Sequence, residues 1–231
     1  EREPVTIILS QKGWIRALRG HVDLASAETA KFKEGDGPAF ALHGQTTDKL
    51  VIAAADGRFY TLAADKLPGG RGFGEPLRLL IDLPGEVAIM QVMLGRAGTR
   101  LLLAASDGRG FVARIEDLIA ETRKGRQVVH LRPGARMSVV RPIPPTHDAV
   151  ASIGDNRRLL IFALAELPEM ARGQGVSLQK FREGGLADAT TLVMAEGLSW
   201  AMGGGSGRVR TETDLLPWRA ARGAIGRNPP T

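Results

Sequence analysis

The stretch Lys49–Pro68, KLVIAAADGRFYTLAADKLP, decides the fold. It is an apolar strand, an Asp-Gly turn, a second apolar strand and a Leu-Pro stop. Asp56-Gly57 between two hydrophobic runs is the composition of a tight hairpin, because glycine supplies the positive φ that a two-residue type I′ turn needs. Variants of the pattern occur at 5–20 (VTIILSQKGWIRALRG), 100–119 (RLLLAASDGRGFVARIEDLI), 149–168 (AVASIGDNRRLLIFALAELP) and 198–217 (LSWAMGGGSGRVRTETDLLP). With Gly13, Gly57, Gly108, Asn156 and Gly207 as turn residues, the spacings are 44, 51, 48 and 51 residues. A strand-bearing period of this size is the signature of a propeller built blade by blade.

Between hairpins the layout also repeats. After Leu67-Pro68 come a Gly/Arg loop (GGRGFGEP, 69–76), an extended stretch (PLRLLIDL, 76–83), a strand at Val87–Leu94 and the hairpin Leu101–Ala105 and Gly110–Ile115. The next interval predicts strands at Gln127–Leu131, Met137–Ile143, Ala149–Ile153 and Leu159–Leu164. That gives four strands per repeat, rich in Val, Ile and Leu, as in sheets packed on both faces. The expectation is an all-β, five-bladed, propeller-like pinwheel of four-stranded blades. One domain covers residues 1–220, and 221–231 form a tail whose end is disordered. The first hairpin has no strand before it. Either the C-terminal segment completes that blade, or the ring is open (broken) there.

The chain of 231 residues is long enough to bury a core. It carries no cysteine, which excludes disulfides and thiolate metal sites and suits a reducing cytoplasm. No apolar run approaches the roughly 20 residues of a membrane span, and no signal peptide opens the chain. It starts at Glu1 rather than Met, as a piece of a longer protein would. The formal charge is +6 and the pI about 10.1, which favours an anionic partner. Of 31 basic residues, 24 are arginine. Arginine grips phosphate through paired N–H donors.

The basic residues recur in phase. Arg71-Gly72, Arg123-Lys124-Gly125-Arg126, Arg172-Gly173 and Arg222-Gly223 each follow a Leu-containing stop, and Lys31 and Lys33 precede Gly35 at the same phase after the first hairpin. Equivalent positions in a propeller lie on one rim, so these loops predict a curved positive track. The expected phosphate contacts are Lys12, Arg16 and Arg19 on the first hairpin, then Lys31, Lys33, Arg58, Arg71, Lys124, Arg126, Arg172 and Arg222.

No catalytic or metal site is expected. His21, His43, His130 and His147 lie far apart in sequence, none paired at ligand spacing; His21 and His147 read as solvated loop residues. The run Gly203–Gly207 is glycine-rich like a phosphate cradle but lacks the Gly-Lys-Ser/Thr ending. Tyr60, the only tyrosine, reads as core. Trp14, Trp200 and Trp218 read as packing anchors, and none is followed by the Asp of a WD repeat.

Residues 3–21 (EPVTIILSQKGWIRALRGH), 56–77 (DGRFYTLAADKLPGGRGFGEPL) and the fivefold hairpin resemble the C-terminal DNA-binding domain of the A subunit of bacterial topoisomerase IV, a relative of the same domain in the A subunit of DNA gyrase. The resemblance covers essentially the whole chain. It implies a pinwheel that binds duplex DNA around its outer edge. The Gln-Arg-Arg-Gly-Gly-Lys-Gly loop that gyrase uses for chiral wrapping has no intact copy; Gly70–Gly74 and Ala171–Gly175 are degenerate versions. The resemblance therefore implies a non-catalytic domain that holds and bends DNA, guiding substrate choice in decatenation, relaxation and chromosome segregation. The domain itself needs no cofactor. The parent is an ATP-dependent type IIA topoisomerase, a heterotetramer of two A and two ATPase B subunits, with Mg2+ and ATP used in regions absent here. It works in the cytoplasm on the nucleoid, with peripheral association with the inner membrane. The alternatives are a gyrase-type wrapping domain and a protein-binding propeller scaffold.

Overall fold

The computed structural model describes residues 1–28, 31–203 and 207–230. In chain order the strands begin with β1 (Pro4–Ser10), β2 (Trp14–Arg19), β3 (Pro38–Gln45), β4 (Lys49–Ala54), β5 (Arg58–Ala63) and β6 (Glu75–Pro76). Then come β7 (Ile89–Leu94), β8 (Arg100–Ala105), β9 (Arg109–Arg114), β10 (Arg126–Gln127) and β11 (Met137–Ile143). The last are β12 (Ala149–Gly154), β13 (Leu159–Ala163), β14 (Val176–Ser177), β15 (Leu186–Leu192), β16 (Leu198–Ala201) and β17 (Val209–Glu212). The one α-helix among the described residues, α1 (Leu24–Glu28), has five residues.

The strands make five antiparallel sheets, the pinwheel architecture expected from the period. Three have four strands, in the orders β3-β1-β2-β6, β10-β5-β4-β7 and β11-β8-β9-β14. The fourth is β13-β12-β15 and the fifth β16-β17, so four strands per blade does not hold throughout the described residues. Residues Glu1–Ala97 with Leu118–Gln127 form one compact unit, and Gly98–Asp117 with Val128–Thr231 a second.

The hairpins lie where the period puts them, but their turns differ. The Gly57 N–H donates to Ala54 O (3.1 Å) and the Gly108 N–H to Ala105 O (2.9 Å). Among these turn residues only the glycines have positive φ, +86° and +91°. This is the three-residue loop, a turn closed by one left-handed residue, rather than the two-residue type I′ turn. Asp56 and Asp107 accept the Arg58 and Arg109 N–H groups, at 3.1 and 3.2 Å. In the fourth hairpin Asn156 does the same for Arg158 (3.0 Å), and Arg157 takes the left-handed place (φ +66°). The fifth turn, assigned to Ser206-Gly207, and the middle of the glycine run fall partly outside the described residues.

The larger difference is which strands share a sheet. Each of the first four hairpins is covered on its first strand by the next long strand: β3 on β1, β7 on β4, β11 on β8 and β15 on β12. All four pairings shift register at the turn end, at Leu9/Ser10, Ala53/Ala54, Met137/Val139 and Ile153/Gly154. The second strand waits until the chain has made the following hairpin. Only then do β6, β10 and β14 return to β2, β5 and β9. Four consecutive strands of sequence thus never form one sheet. The stretch 76–83, expected to be extended, is interrupted by a 3-10 turn at Leu77–Leu79, which carries the chain away from that edge.

In the fourth sheet the outer place is taken by the C-terminal segment. Arg227 bridges Leu159, with N–H···O distances of 2.7 and 2.9 Å, and Arg219 bridges Ile161. Through these pairings the C-terminal segment closes the fourth blade rather than the first. The expected disordered end, Thr231, lies outside the described residues.

The alternation of each hairpin buries Ile7, Ile15, Leu50, Ile52 and Tyr60 in the first unit and Leu102, Val150, Leu160 and Phe162 in the second. Each fully buried aliphatic or aromatic side chain contributes about 1.5–3 kcal/mol by removing apolar surface from water. Tyr60 is core, as its strand position suggested, and its hydroxyl donates to Asp82 O at 3.3 Å.

Candidate nucleic-acid interface

The basic loops sit where they do because of glycines. Just before each returning segment the backbone crosses close over the second hairpin strand. Gly74, Gly125, Gly175 and Gly226 all have positive φ there. A Cβ on these four would lie 2.1, 2.4, 2.2 and 2.8 Å from the carbonyl oxygens of Ile15, Phe59, Gly110 and Leu159. No side chain fits, so a glycine is required at one place in four sheets. Arg71, Lys124, Arg172 and Arg222 stand one to four residues ahead of these glycines, so each cation-bearing loop leads into a required glycine.

The first sheet gathers the most charge. Lys33 Nζ lies 3.8 Å from the centre of the Trp14 ring, and Lys31 Nζ 5.5 Å from that of Phe73. Lys12 is exposed on the hairpin turn, and its backbone N–H donates to Asp36 Oδ1 (3.0 Å). Partial burial pushes the Asp36 carboxyl up. Hydrogen bonds from Ser10, Gly37 and Lys12, with the Lys12 charge, outweigh this and hold it below its usual range. Arg71 is exposed beside Gly72, and Arg19 is exposed at the far end of β2. Arg19 and Arg71 line one groove with Gly69, Gly70 and Glu75.

Arg16 does not face solvent as expected. It is 4% exposed and donates from Nη1 to Gly72 O and from Nη2 to Lys31 O (2.7 Å). Its guanidinium carbon lies 5.9 Å from the centre of the Phe32 ring. Burial lowers its pKa from the ordinary value. The flanking loops close over it, which alternation along β2 could not reveal.

At the second sheet Lys124 and Arg126 are exposed and Arg58 is half-buried. At the third, Arg172 is exposed, and Arg109 donates from Nη1 to Gly175 O at 3.1 Å. The buried Nε of Arg109 has no partner among the described residues. At the fourth, Arg222 is already committed: Nε donates to Glu166 O (2.9 Å) and Nη1 to Ser177 O (2.8 Å). It braces the loop instead of lying free for a ligand. Sequence reasoning passed over Arg157, Arg158 and Arg227, all exposed at that edge. The signal was present: Arg58, Arg109 and Arg158 hold one position, directly after each turn.

His21 and His43, read as unpaired, stack at 4.6 Å with planes 11° apart. Their Nε2 atoms lie against Gly44 O and Val22 O, because β3 folds back along β1. Among the described residues no three His, Asp or Glu side chains come together as metal ligands.

No family model matches the chain. Curated relatives do. It is 41% identical over 230 residues to the A subunit of DNA topoisomerase 4 from Rickettsia bellii, covering 99% of this chain and 30% of the relative. It is 44% identical over 227 residues to that of Caulobacter vibrioides, covering 98% and 29%. The chain thus spans about a third or less of the length of the curated relatives it matches. Among solved structures, the E. coli ParC C-terminal domain matches with a TM-score of 0.88 at 29% identity, covering 98% of this chain and 94% of that one. The DNA gyrase A C-terminal domain shares the fold, with a TM-score of 0.65 at 19% identity, covering 97% and 76%. Identity along the whole chain and agreement of architecture together place it in the family of C-terminal β-pinwheel domains of the topoisomerase IV A subunit.

Proposed function

We propose that this chain is the DNA-binding module of a type IIA topoisomerase and grips duplex phosphates along the outer edges of its sheets. The observation that carries the reading is the repeated edge itself: in four sheets a required glycine fixes a cation-bearing loop beside the returning segment. Cations so placed bind by releasing counterions from the DNA, so affinity falls steeply with salt. No described helix is long enough to enter a major groove, so contacts to bases are few and sequence preference is low. Bending a 20–30 bp site costs about 1–6 kcal/mol, which added phosphate contacts offset. Arg71, Lys124, Arg126 and Arg172, with Lys12, Lys31 and Lys33, supply the contacts; Arg16 and Arg222 hold loops in place. Guidance of decatenation, the parent's use of Mg2+ and ATP, its pairing with a B subunit and its place on the nucleoid belong to the same proposal, supported by family resemblance.

The test is binding of random-sequence duplex by anisotropy over a salt series. Arg71→Gln and Arg172→Gln should each flatten the slope of log K against log salt by about 0.9 and weaken all sequences alike. Unchanged affinity and slope in both variants would overturn the reading. Ligation of relaxed circles in the presence of the protein should leave little change in linking number; a large change would favour gyrase-type wrapping.

A further inference from the structure

On the second strand of each of the first four hairpins, two places on one face follow the turn. They are equivalent by their pairing to the returning segment, in which Ile15, Phe59, Gly110 and Leu159 correspond. The outer place holds Arg58, Arg109 and Arg158 in three sheets, and the inner place holds Tyr60, Phe111 and Leu160, each fully buried. The first sheet reverses this: the aromatic, Trp14, is outside and the arginine, Arg16, is inside. A guanidinium in a core position is costly unless its donors are met, and the three other sheets fold with an uncharged side chain there. Its donors go to Gly72 O and Lys31 O, one in each basic loop flanking β2.

We infer that Arg16 is a positioning residue for DNA binding: a buried clamp that joins the loops 31–37 and 69–74 and so holds Lys31, Lys33 and Arg71 as one preformed cationic surface. This rests on the reading above for what the surface binds, but the clamp itself does not. Trp14, moved to the outside by the same reversal, and Phe73 in the clamped loop give the two lysines aromatic faces to rest on. Cations held in place before binding lose less conformational freedom when a phosphate arrives. The arrangement makes the first sheet the strongest grip on the duplex.

Arg16→Leu, which copies the fourth sheet, separates clamp from contact. The expected result is a folded protein with unchanged protection of the Ile52 and Leu103 amides. Hydrogen exchange of the Gln11, Lys12 and Asp36 amides, now bonded to or within the clamped loop, should speed at least about tenfold. Duplex affinity should fall about tenfold, with the salt slope flatter by about 2 as several loop cations disengage. Arg16→Lys keeps the charge but cannot reach both carbonyls, and should show the same loosening in smaller measure. Native exchange in Arg16→Leu would overturn the clamp, as would native exchange and affinity in Arg16→Lys, or failure of Arg16→Leu to fold. Loosened loops with native affinity would overturn the role in binding. If the native chain ignored duplex DNA, the functional reading would fall while the exchange result still decided the clamp.

Discussion

Arg157 occupies in the fourth hairpin the left-handed position that Gly108 occupies in the third. Both N–H groups donate to the residue three before, Gly154 O and Ala105 O, at 2.9 Å. A residue with a Cβ is disfavoured there by about 1–2 kcal/mol, partly offset by the extra freedom glycine has when unfolded. Arg157→Gly should stabilise the protein by about 0.5–1 kcal/mol, read as a rise in the urea midpoint with an unchanged slope.

Glycines at positive φ should divide into two classes. Gly13 (φ +87°) has nothing within 4 Å of an added Cβ, whereas Gly175 (φ +76°) has Gly110 O at 2.2 Å. Gly13→Ala should cost about 1 kcal/mol, for backbone strain alone. Gly175→Ala should cost more than about 2 kcal/mol, because Val176–Ser177 must leave β9. Chemical denaturation and exchange of the Leu178 amide, which donates to Gly108 O, check this.

Gln179 fastens the C-terminal segment. It is 1% exposed, accepts from Ser152 Oγ at Oε1 (2.8 Å), and donates from Nε2 to Arg158 O (2.9 Å) and Ile225 O (3.0 Å). Gln179→Leu leaves the Ser152 hydroxyl and these two carbonyls without their partner and should cost about 1–3 kcal/mol. Trypsin should then cut first at Arg227, whose backbone is paired with Leu159 in the native protein.

Arg172 and Arg222 should part company although both follow a stop and precede a glycine. Arg172→Gln should leave the melting temperature unchanged and flatten the salt slope of DNA binding. Arg222→Gln removes bonds to Glu166 O and Ser177 O. It should lower stability by about 1 kcal/mol or more with a smaller effect on the slope. Thermal melts paired with the salt series distinguish them.

Tyr60 should limit stability at high pH. Burial pushes its phenol up, and the Asp56 and Asp82 carboxylates reinforce this while Arg58 opposes it. The unfolded chain ionises first, near pH 10. The contribution of neutral Tyr60 is therefore complete below that pH and is lost as pH rises through the higher folded value. As the chain has one tyrosine, absorbance at 295 nm reports it alone. Ionisation should coincide with unfolding, and Tyr60→Phe should extend the stable range upward.

The candidate site was visible in part as phase in the sequence. Arg71, Lys124 and Arg172 recur in phase and are exposed beside returning segments. Arg222 shares the phase but spends its donors on carbonyls that arrive from residues 45 and 56 positions away. Of the residues that open the second strands, the sequence reading took in Arg58 but not Arg109 or Arg158. His43 meets His21 only because β3 lies along β1.

What the chain's sequence determined alone was the five hairpins, their period and their all-β character. Those depend on turn chemistry and alternation within about fifteen residues, where an Asp or Asn side chain can reach a backbone N–H two positions on. Tertiary structure alone decided which strand closes each sheet, the role of the C-terminal segment, and the reversal of Trp14 and Arg16. Those two side chains share a face by parity. Which of them is buried depends on loops that return from 15 and 56 residues away, and no local pattern records what will cover a strand.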